Sequence, residues 1–447
     1  MDFLEQFIIP QSLEHIQLLH YLAMLIFFLF IPFISVAFGG AFLSLYYRRK
    51  GIKENNSSYL NFAKEVIEIA TVNKSMGVIL GIVPLLTSVL IYAQLLHLGN
   101  TIAVSYLFAS FLLVIIALIF IYTYRYSTTF NSIFNSIKDV KIESSDVVDD
   151  LNKLGISSRN LSVRTGYYGF IVLFLSIWFF VAGVTAASYP IEWAGGGAFS
   201  VMFSWAVISR LLFFIALAFT FTGGTILFRY FYWEGGRKNL SVDYSKFVRK
   251  SSVFLTLYAG IVLPLLLAFT LYTLPDAAIS GTVFGYSTLA FLLMFLSYHL
   301  LYSMIRNADT NYTGLLYIVL IMTIVSLVIK DQLAVDNSTK LQTIILSNKY
   351  DEMMAQLSGE ANKIPEVSGE EIFQVRCSSC HSFDQKIVGP AYKETLPKYE
   401  GKLDQLVKFI LNPQPNNPGY PPMPNPGLKP NEAQAVAKYI LSTYKTK

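Results

Sequence analysis

Apolar residues run through the first three quarters of the chain in long blocks broken by short polar connections. Eight blocks are long enough to cross a bilayer as helices, at 18–46, 75–97, 101–124, 165–187, 200–230, 251–274, 279–305 and 313–330. A helix rises about 1.5 Å per residue and the hydrocarbon core is ~30 Å thick, so about 20 apolar residues suffice. Past residue 330 the pattern changes. Residues 335–358 keep a weak helical period and read as a stalk, SGEANKIP over Ser358–Pro365 reads as a linker, and 368–447 form a separate small module. The expected fold is therefore all-α, with a polytopic transmembrane bundle of about eight spans over 1–330, a stalk and linker over 331–367, and a compact helical domain over 368–447.

Charge orients this plan. The connections after the first, third, fifth and seventh spans carry Lys and Arg, as in Arg48-Arg49-Lys50 and in Arg237, Lys238, Lys246, Arg249 and Lys250. The N-terminal segment and the connections after spans two, four and six carry none. By the positive-inside rule the N-terminus lies outside, and an even number of spans puts the C-terminal module outside too. For a bacterium this means the cytoplasmic membrane, with the module on the periplasmic face. The first span follows the short acidic start MDFLEQ, with no small-residue cleavage site, and is expected to be retained.

Composition agrees. Apolar residues make up 54% and charged residues 14%, which excludes a fully soluble chain. The net charge of +5 is mild, and no basic stretch with interleaved aromatics points to nucleic acid. No phosphate-binding glycine loop, nucleophile–base pair or zinc spacing is present.

The chain has two cysteines, and both lie in Arg376-Cys377-Ser378-Ser379-Cys380-His381. Cys-x-x-Cys-His is the attachment signature of a c-type haem. Two thiols on one helical turn can add to the two vinyl groups of one macrocycle, and the adjacent histidine then faces the iron. A redox dithiol, a structural disulfide or half of a zinc site would use the same cysteines. Zinc needs further ligands that no second Cys/His cluster supplies, and a dithiol has no need of His381. Met423, within Pro421-Pro422-Met423-Pro424, is the module's sole methionine and the candidate second axial ligand. A soft thioether opposite a histidine raises the haem potential and suits electron transfer. Gly389 and Pro390 follow the motif, where a carbonyl could accept from His381 and fix its tautomer.

Phe373, the Cys377–His381 motif, Gly389-Pro390, Met423 and a last helix around Asn431–Thr443 together resemble the class I monohaem cytochromes c. Val436, Tyr439 and Ile440 are spaced to pack that last helix across the first. The resemblance covers 368–447. It implies a one-electron carrier with one covalent haem c, attached outside the cytoplasmic membrane.

The membrane part has few polar residues. His20 and His97 fall at similar depth near the outer ends of spans one and two. Two neutral imidazoles from neighbouring helices are candidate ligands of a b-type haem; interfacial histidines at headgroup depth fit the same positions. His15, five residues from His20, points elsewhere on the helix and reads as interfacial. His299, nearer the inner face, is a candidate for a second b haem with a methionine, for contact with a quinone headgroup, or for a plain helix contact. Arg210 sits about ten residues inside span five, deeper than any other charge, and an intramembrane charge is costly. A haem propionate or a quinone is its natural partner, snorkelling the alternative. His20-Tyr21 through Pro32-Phe33, Gly39-Gly40 and Leu43–Tyr47, with Ser209–Phe213 and Gly223-Gly224, resemble two helices of the large subunit of cytochrome bd quinol oxidases. In that family the residue matching His20 binds a haem, and a second haem histidine stands where this chain has Phe213. The resemblance implies a divergent relative and argues against oxygen reduction.

The expected function is membrane-bound electron transfer between the quinone pool and a periplasmic redox partner, through haem c and through one or two b haems in the bundle. As an enzyme it would be a quinol:cytochrome-type oxidoreductase or a subunit of one. In an alternative, the bundle is a haem-free integral subunit of a larger respiratory complex whose redox centre is the tail. A divergent terminal oxidase is a third reading, which four scattered histidines do not favour.

Overall fold

The computed structural model describes residues 10–97, 99, 101–137, 145–189, 197–237, 240–358, 368–378, 380–414, 423 and 425–446. Among them there is helix and no strand. The chain divides into two compact units, Gln17–Lys340 and one containing Leu341–Lys447.

The first unit holds α1 (Leu13–Lys53), α2 (Ser57–Thr71), α3 (Lys74–Leu95), α4 (Ala103–Ile137), α5 (Ser145–Ala187), α6 (Trp205–Phe231), α7 (Val242–Tyr272), α8 (Gly281–Arg306) and α9 (Thr313–Ser338). All but α2 are long and apolar enough to cross a membrane, eight in total. This is a multi-pass membrane protein, and the number of spans is the one read from the apolar blocks. Their starts follow local chemistry. The side chains of Asn56, Ser204, Ser241 and Ser280 each accept a hydrogen bond from a backbone N–H in the first turn that follows, which satisfies donors that helix geometry leaves open. The two irregular helices contain proline. A wide turn at Val78–Ile82 precedes Pro84 in α3, and α7 breaks at Val262 ahead of Pro264, because proline lacks the N–H of the ladder.

Small residues let the spans approach. A Cβ on Gly39 of α1 would stand 2.2 Å from Thr222 Oγ1 of α6, and that hydroxyl donates to Ser35 O at 3.1 Å. Lipid supplies no hydrophobic drive between helices, so close contacts and shared hydrogen bonds do the joining. Ser110 and Ser176 do the same for α4 and α5, each hydroxyl donating to the other's carbonyl at 2.8 and 3.0 Å. Phe27 and Phe30 of α1 pack on Phe180 of α5, with ring centres 5.4 and 5.0 Å apart.

The two ends of the bundle differ. Where α1 starts and α9 finishes, the connections hold no Lys or Arg. At the opposite end arginines tie the spans together. Arg48 donates to Ser162 at 2.8 Å, Arg125 to Val72 O at 2.7 Å and Arg249 to Met304 O at 3.2 Å. Arg237 meets Glu65 of the amphipathic α2 at 2.9 Å, and the same carboxylate accepts from the hydroxyls of Tyr230 and Tyr244.

Several boundaries differ from the sequence reading: α1 is longer at both ends, α5 starts well before residue 165, and two further differences bear on the site. The last span does not stop at residue 330. It runs to Ser338, because Leu333, Ala334 and Val335 continue its apolar face. The fifth span begins at Trp205, capped by Ser204, and a separate short helix Ala198–Met202 precedes it. Arg210 is therefore five residues from the start of α6, not ten.

In the second unit α10 (Lys340–Leu357) occupies the segment read as a stalk. The linker read over Ser358–Pro365 lies, after Ser358, outside the described residues. α11 (Gly369–Ile372) continues as a wide turn through Phe373–Cys377. It is followed by α12 (Tyr392–Thr395), α13 (Leu403–Leu411) and α14 (Pro430–Thr446). Phe373, Tyr392, Leu406, Ile410, Val436 and Ile440 make the core. The rings of Phe373 and Tyr439 lie 5.8 Å apart, so the last helix packs on the first through the residues the spacing indicated.

Candidate functional site

The Cys377–His381 motif sits at the end of α11. Ser368 caps that helix, its hydroxyl accepting from Glu371 N at 3.3 Å. Cys377 closes the wide turn, and its carbonyl accepts from Cys380 N and His381 N at 3.1 and 2.9 Å. The Cys380 carbonyl accepts in turn from Val388 N and Gly389 N at 3.3 and 2.9 Å. These bonds fold the loop back so that Gly389-Pro390 face the histidine. The imidazole lies flat on Gly389, where a Cβ would stand 2.3 Å from His381 Cε1. Only a glycine leaves room for the ring. His381 Nδ1 is 3.3 Å from Pro390 O, and the ring stacks on Tyr392 with centres 5.1 Å apart.

This arrangement suits a metal-bound imidazole. Burial holds the His381 pKa below its usual value, against a smaller opposing pull from the Pro390 carbonyl. The neutral ring with Nδ1 turned to a carbonyl leaves Nε2 as a lone-pair donor. Cys377 is buried and Cys380 half-buried, and no disulfide joins them. Burial, and then the neighbouring Cys380, raise the Cys377 pKa, so the sulfur is a thiol and not a thiolate. Met423 is half-buried. Asn425, two residues on, donates from Nδ2 to Leu411 O at 3.2 Å and accepts at Oδ1 from Gly427 N at 2.9 Å, which ties the methionine strap to the end of α13. Pro421, Pro422 and Pro424, read as its rigid setting, lie outside the described residues.

The family model for cytochrome c matches residues 367–444, the stretch that contains all of these contacts. The chain is 35% identical over 79 residues to cytochrome c-551 of Pseudomonas denitrificans, which covers 17% of this chain and 96% of the relative. It is 40% identical over 78 residues to cytochrome c-551 of Stutzerimonas stutzeri, covering 17% and 75%. With cytochrome c-552 of Hydrogenobacter thermophilus it shares 36% over 72 residues, 15% and 74% of the two chains. The chain belongs to the cytochrome c family. No solved structure matches it significantly. The cytochrome c domain carries a covalently bound haem and transfers electrons, and the eight apolar helices anchor it in a bilayer.

Outside the cytochrome c domain, the bundle gathers polar groups at its charge-poor end. His20 of α1 is 6% exposed, and its Nε2 is 3.4 Å from Asp336 Oδ1 of α9. That is an ionic contact at most, since neither ring nitrogen makes a hydrogen bond. One turn back along α9, Gln332 is 1% exposed and exchanges hydrogen bonds with the Tyr92 hydroxyl of α3. Lys330 is 3% exposed and pairs with Asp331 at 2.6 Å. Arg210 of α6 joins Lys330, Asp331 and Gln332 around a cavity of about 80 Å³, whose other walls include Phe27, Phe180, Phe213 and Leu217. That volume holds about two or three waters.

The sequence reading took Arg210 as the deepest charge in the bundle. The structure corrects this, since Lys330 and Asp331 lie about 12 Å inside the end of α9. Asp331, Gln332 and Asp336 were missed because the span was ended where charge returned. The i, i+4 spacing of Gln332 and Asp336 was the available signal. Phe27 of α1 and Tyr92 of α3 are adjacent, with ring centres 6.1 Å apart. His20 and His97 therefore both lie towards the charge-poor end of neighbouring spans, and His97 is half-buried in the turn after α3. Neither lines the cavity. His15 is exposed. His299 is exposed on α8, whose buried side is formed by Met294, Ser297, Leu300 and Leu301.

Proposed function

We propose that this protein is a membrane-anchored cytochrome that takes electrons from the quinol pool and passes them singly to a redox partner on the periplasmic face of a bacterial cytoplasmic membrane. One observation carries this reading. A domain built for covalent haem follows a bundle that the chain leaves at the end whose connections carry no Lys or Arg, where Lys330 is buried beside the half-exposed Asp331 and Asp336. In this reading Cys377 and Cys380 would form the thioethers, and His381 Nε2 and the Met423 sulfur would bind the iron. Bound there, the group supplies a ferric/ferrous couple that accepts one electron at a time. Pro390 O orients the imidazole, Gly389 leaves room for it, and the Phe373–Tyr392 core keeps water from the site, which favours the ferrous state. A quinol releases two electrons and two protons, and a one-electron group held by these residues would take the electrons one at a time. Asp331 and Asp336, both half-exposed on α9, are the carboxylates that would accept the protons.

A second reading adds a b-type haem held by His20 and His97. It is favoured by their common end of the bundle, and by a buried His20 ring that has a carboxylate nearby and no hydrogen bond. The decisive experiment uses purified full-length protein. A short-chain quinol should reduce the haem c, and the pyridine haemochrome spectrum should count one c haem per chain, with any b haem seen separately. Reduction by ascorbate but by no quinol would sink the quinol reading and leave a haem-bearing anchor subunit.

A further inference from the structure

A second cavity, of about 300 Å³, opens at the charge-poor end between the start of α4, the end of α5, the start of α6 and the end of α7. Its size matches the smaller sites that bind organic molecules. Tyr189 and Trp205 give it aromatic walls, and Ile102 and Val201 add apolar surface. Besides the Tyr189 phenol, four Ser and Thr hydroxyls among the described residues line it, and three are occupied. Thr101 accepts from Ala103 N at 3.2 Å, Ser204 accepts from Val207 N at 3.3 Å, and Thr273 donates to Thr270 O at 3.1 Å. Thr185 is the fourth. It is 2% exposed, and its Oγ1 has no hydrogen-bond partner. A buried hydroxyl without a partner is costly, so this one is open to a ligand or a water.

Thr185 also lines the smaller charged cavity, so it stands between the two. Arg210 lines that smaller cavity, with its guanidinium 5.9 Å from the centre of the Tyr189 ring and its Nε buried and unbonded. The Tyr189 hydroxyl is directed to Thr273 O, which fixes the ring in the cavity wall. On the open side Trp205 is 73% exposed, next to the exposed Phe203. On a membrane-spanning bundle such rings meet lipid at interface depth.

We infer that this outer cavity binds the headgroup ring of a membrane quinone. The inference rests on the quinol reading above and gives it a place. The ring lies against Tyr189 and Trp205, one ring oxygen accepts from the Thr185 hydroxyl, and the isoprenoid tail leaves over Trp205 and Phe203 into lipid. Among the described residues no Lys, Arg, Asp, Glu or His lines the cavity, which disfavours a phospholipid phosphate. Among those residues there is no His or Met to ligate a haem iron.

The test uses the full-length, haem-loaded protein in detergent, with decylubiquinol as the reductant and haem c absorbance as the readout. Thr185→Val keeps the shape and removes the hydroxyl. It should raise KM by roughly three- to tenfold, the worth of one hydrogen bond, with reduction by ascorbate unchanged. Ala206→Phe fills the cavity and should abolish reduction by quinol but not by ascorbate. An azido-quinone should photolabel the wild-type segments around Thr185 and Trp205. If wild type is reduced by quinol while Thr185→Val keeps its KM and the label falls elsewhere, the inference fails and the quinol reading stands. If wild type is reduced by ascorbate and by no quinol, both fail. Should Ala206→Phe not assemble, the isosteric variant and the photolabel still decide.

Discussion

The cytochrome c domain and the helix bundle place their chemistry in opposite ways. In the domain, the cysteines, His381 and the Gly389-Pro390 backing sit within fourteen consecutive residues, Cys377–Pro390, and a few backbone hydrogen bonds are enough to assemble them. In the bundle, Tyr92, Arg210, Lys330 and Gln332 come from three helices distant in sequence and meet only when the spans have packed. A local site survives large changes elsewhere in the chain. An assembled one is only as sound as the helix contacts that hold it. The comparison predicts that damage to the domain will be confined and complete, while damage to the bundle will be graded and cooperative.

The largest expected effect is the joint change Cys377→Ser with Cys380→Ser. Covalent haem should be lost completely, with no haem-stained band after denaturing electrophoresis, while the protein remains in the membrane fraction. Loss of the whole protein from the membrane would break the contrast, since it would tie the bundle to the domain's cofactor. Next is Met423→Ala. It should keep the covalent haem and lower its potential by on the order of 0.1–0.3 V, part of the ~0.8 V range that axial ligands span, as read by redox titration. An unchanged potential would mean another residue is the sixth ligand. In the bundle, Asp331→Asn leaves the Lys330 ammonium buried without its partner. Because Asp331 is 39% exposed, the cost should fall near 2–3 kcal/mol, at or below the low end for broken buried pairs. The double change Lys330→Met with Asp331→Asn should cost less than Asp331→Asn alone, and thermal unfolding in detergent would compare the two. The smallest effect belongs to the surface of the domain. Lys393→Ala removes an exposed ion pair with Asp384 and should change stability by about 0.5 kcal/mol or less.

The sequence revealed these two regions unequally, for the same physical reason. The eight spans were legible because hydrocarbon selects long apolar runs whatever their partners are. The haem motif was legible because attachment needs both thiols and a histidine within one turn. The charged cluster was not. A span defined by hydropathy ends where charge begins, so Lys330 marked a boundary although α9 continues through it to Ser338. Arg210 was seen, but its depth was misjudged because the role of Ser204 as a cap outweighs the apolar residues before it. Nothing local to His20 indicates Asp336, which comes from the last span. The free hydroxyl of Thr185 is likewise a property of the packed bundle, since most threonines in spans satisfy themselves on their own helix, as Thr220 and Thr256 do.

The length of α9 has a further consequence. Its 26 residues reach about 39 Å, some 9 Å more than a typical hydrocarbon core. The surplus must be taken up by tilt or by letting the final turns emerge among the headgroups, and those turns carry Asp336 and, deeper, Lys330. Bilayer thickness therefore sets how much of this ionic cluster is hydrated. Lipids with longer acyl chains should draw Lys330 and Asp331 farther into hydrocarbon, and shorter ones should release them to water. The membrane's own composition thus acts as an adjustable solvent for the charged rim of the bundle.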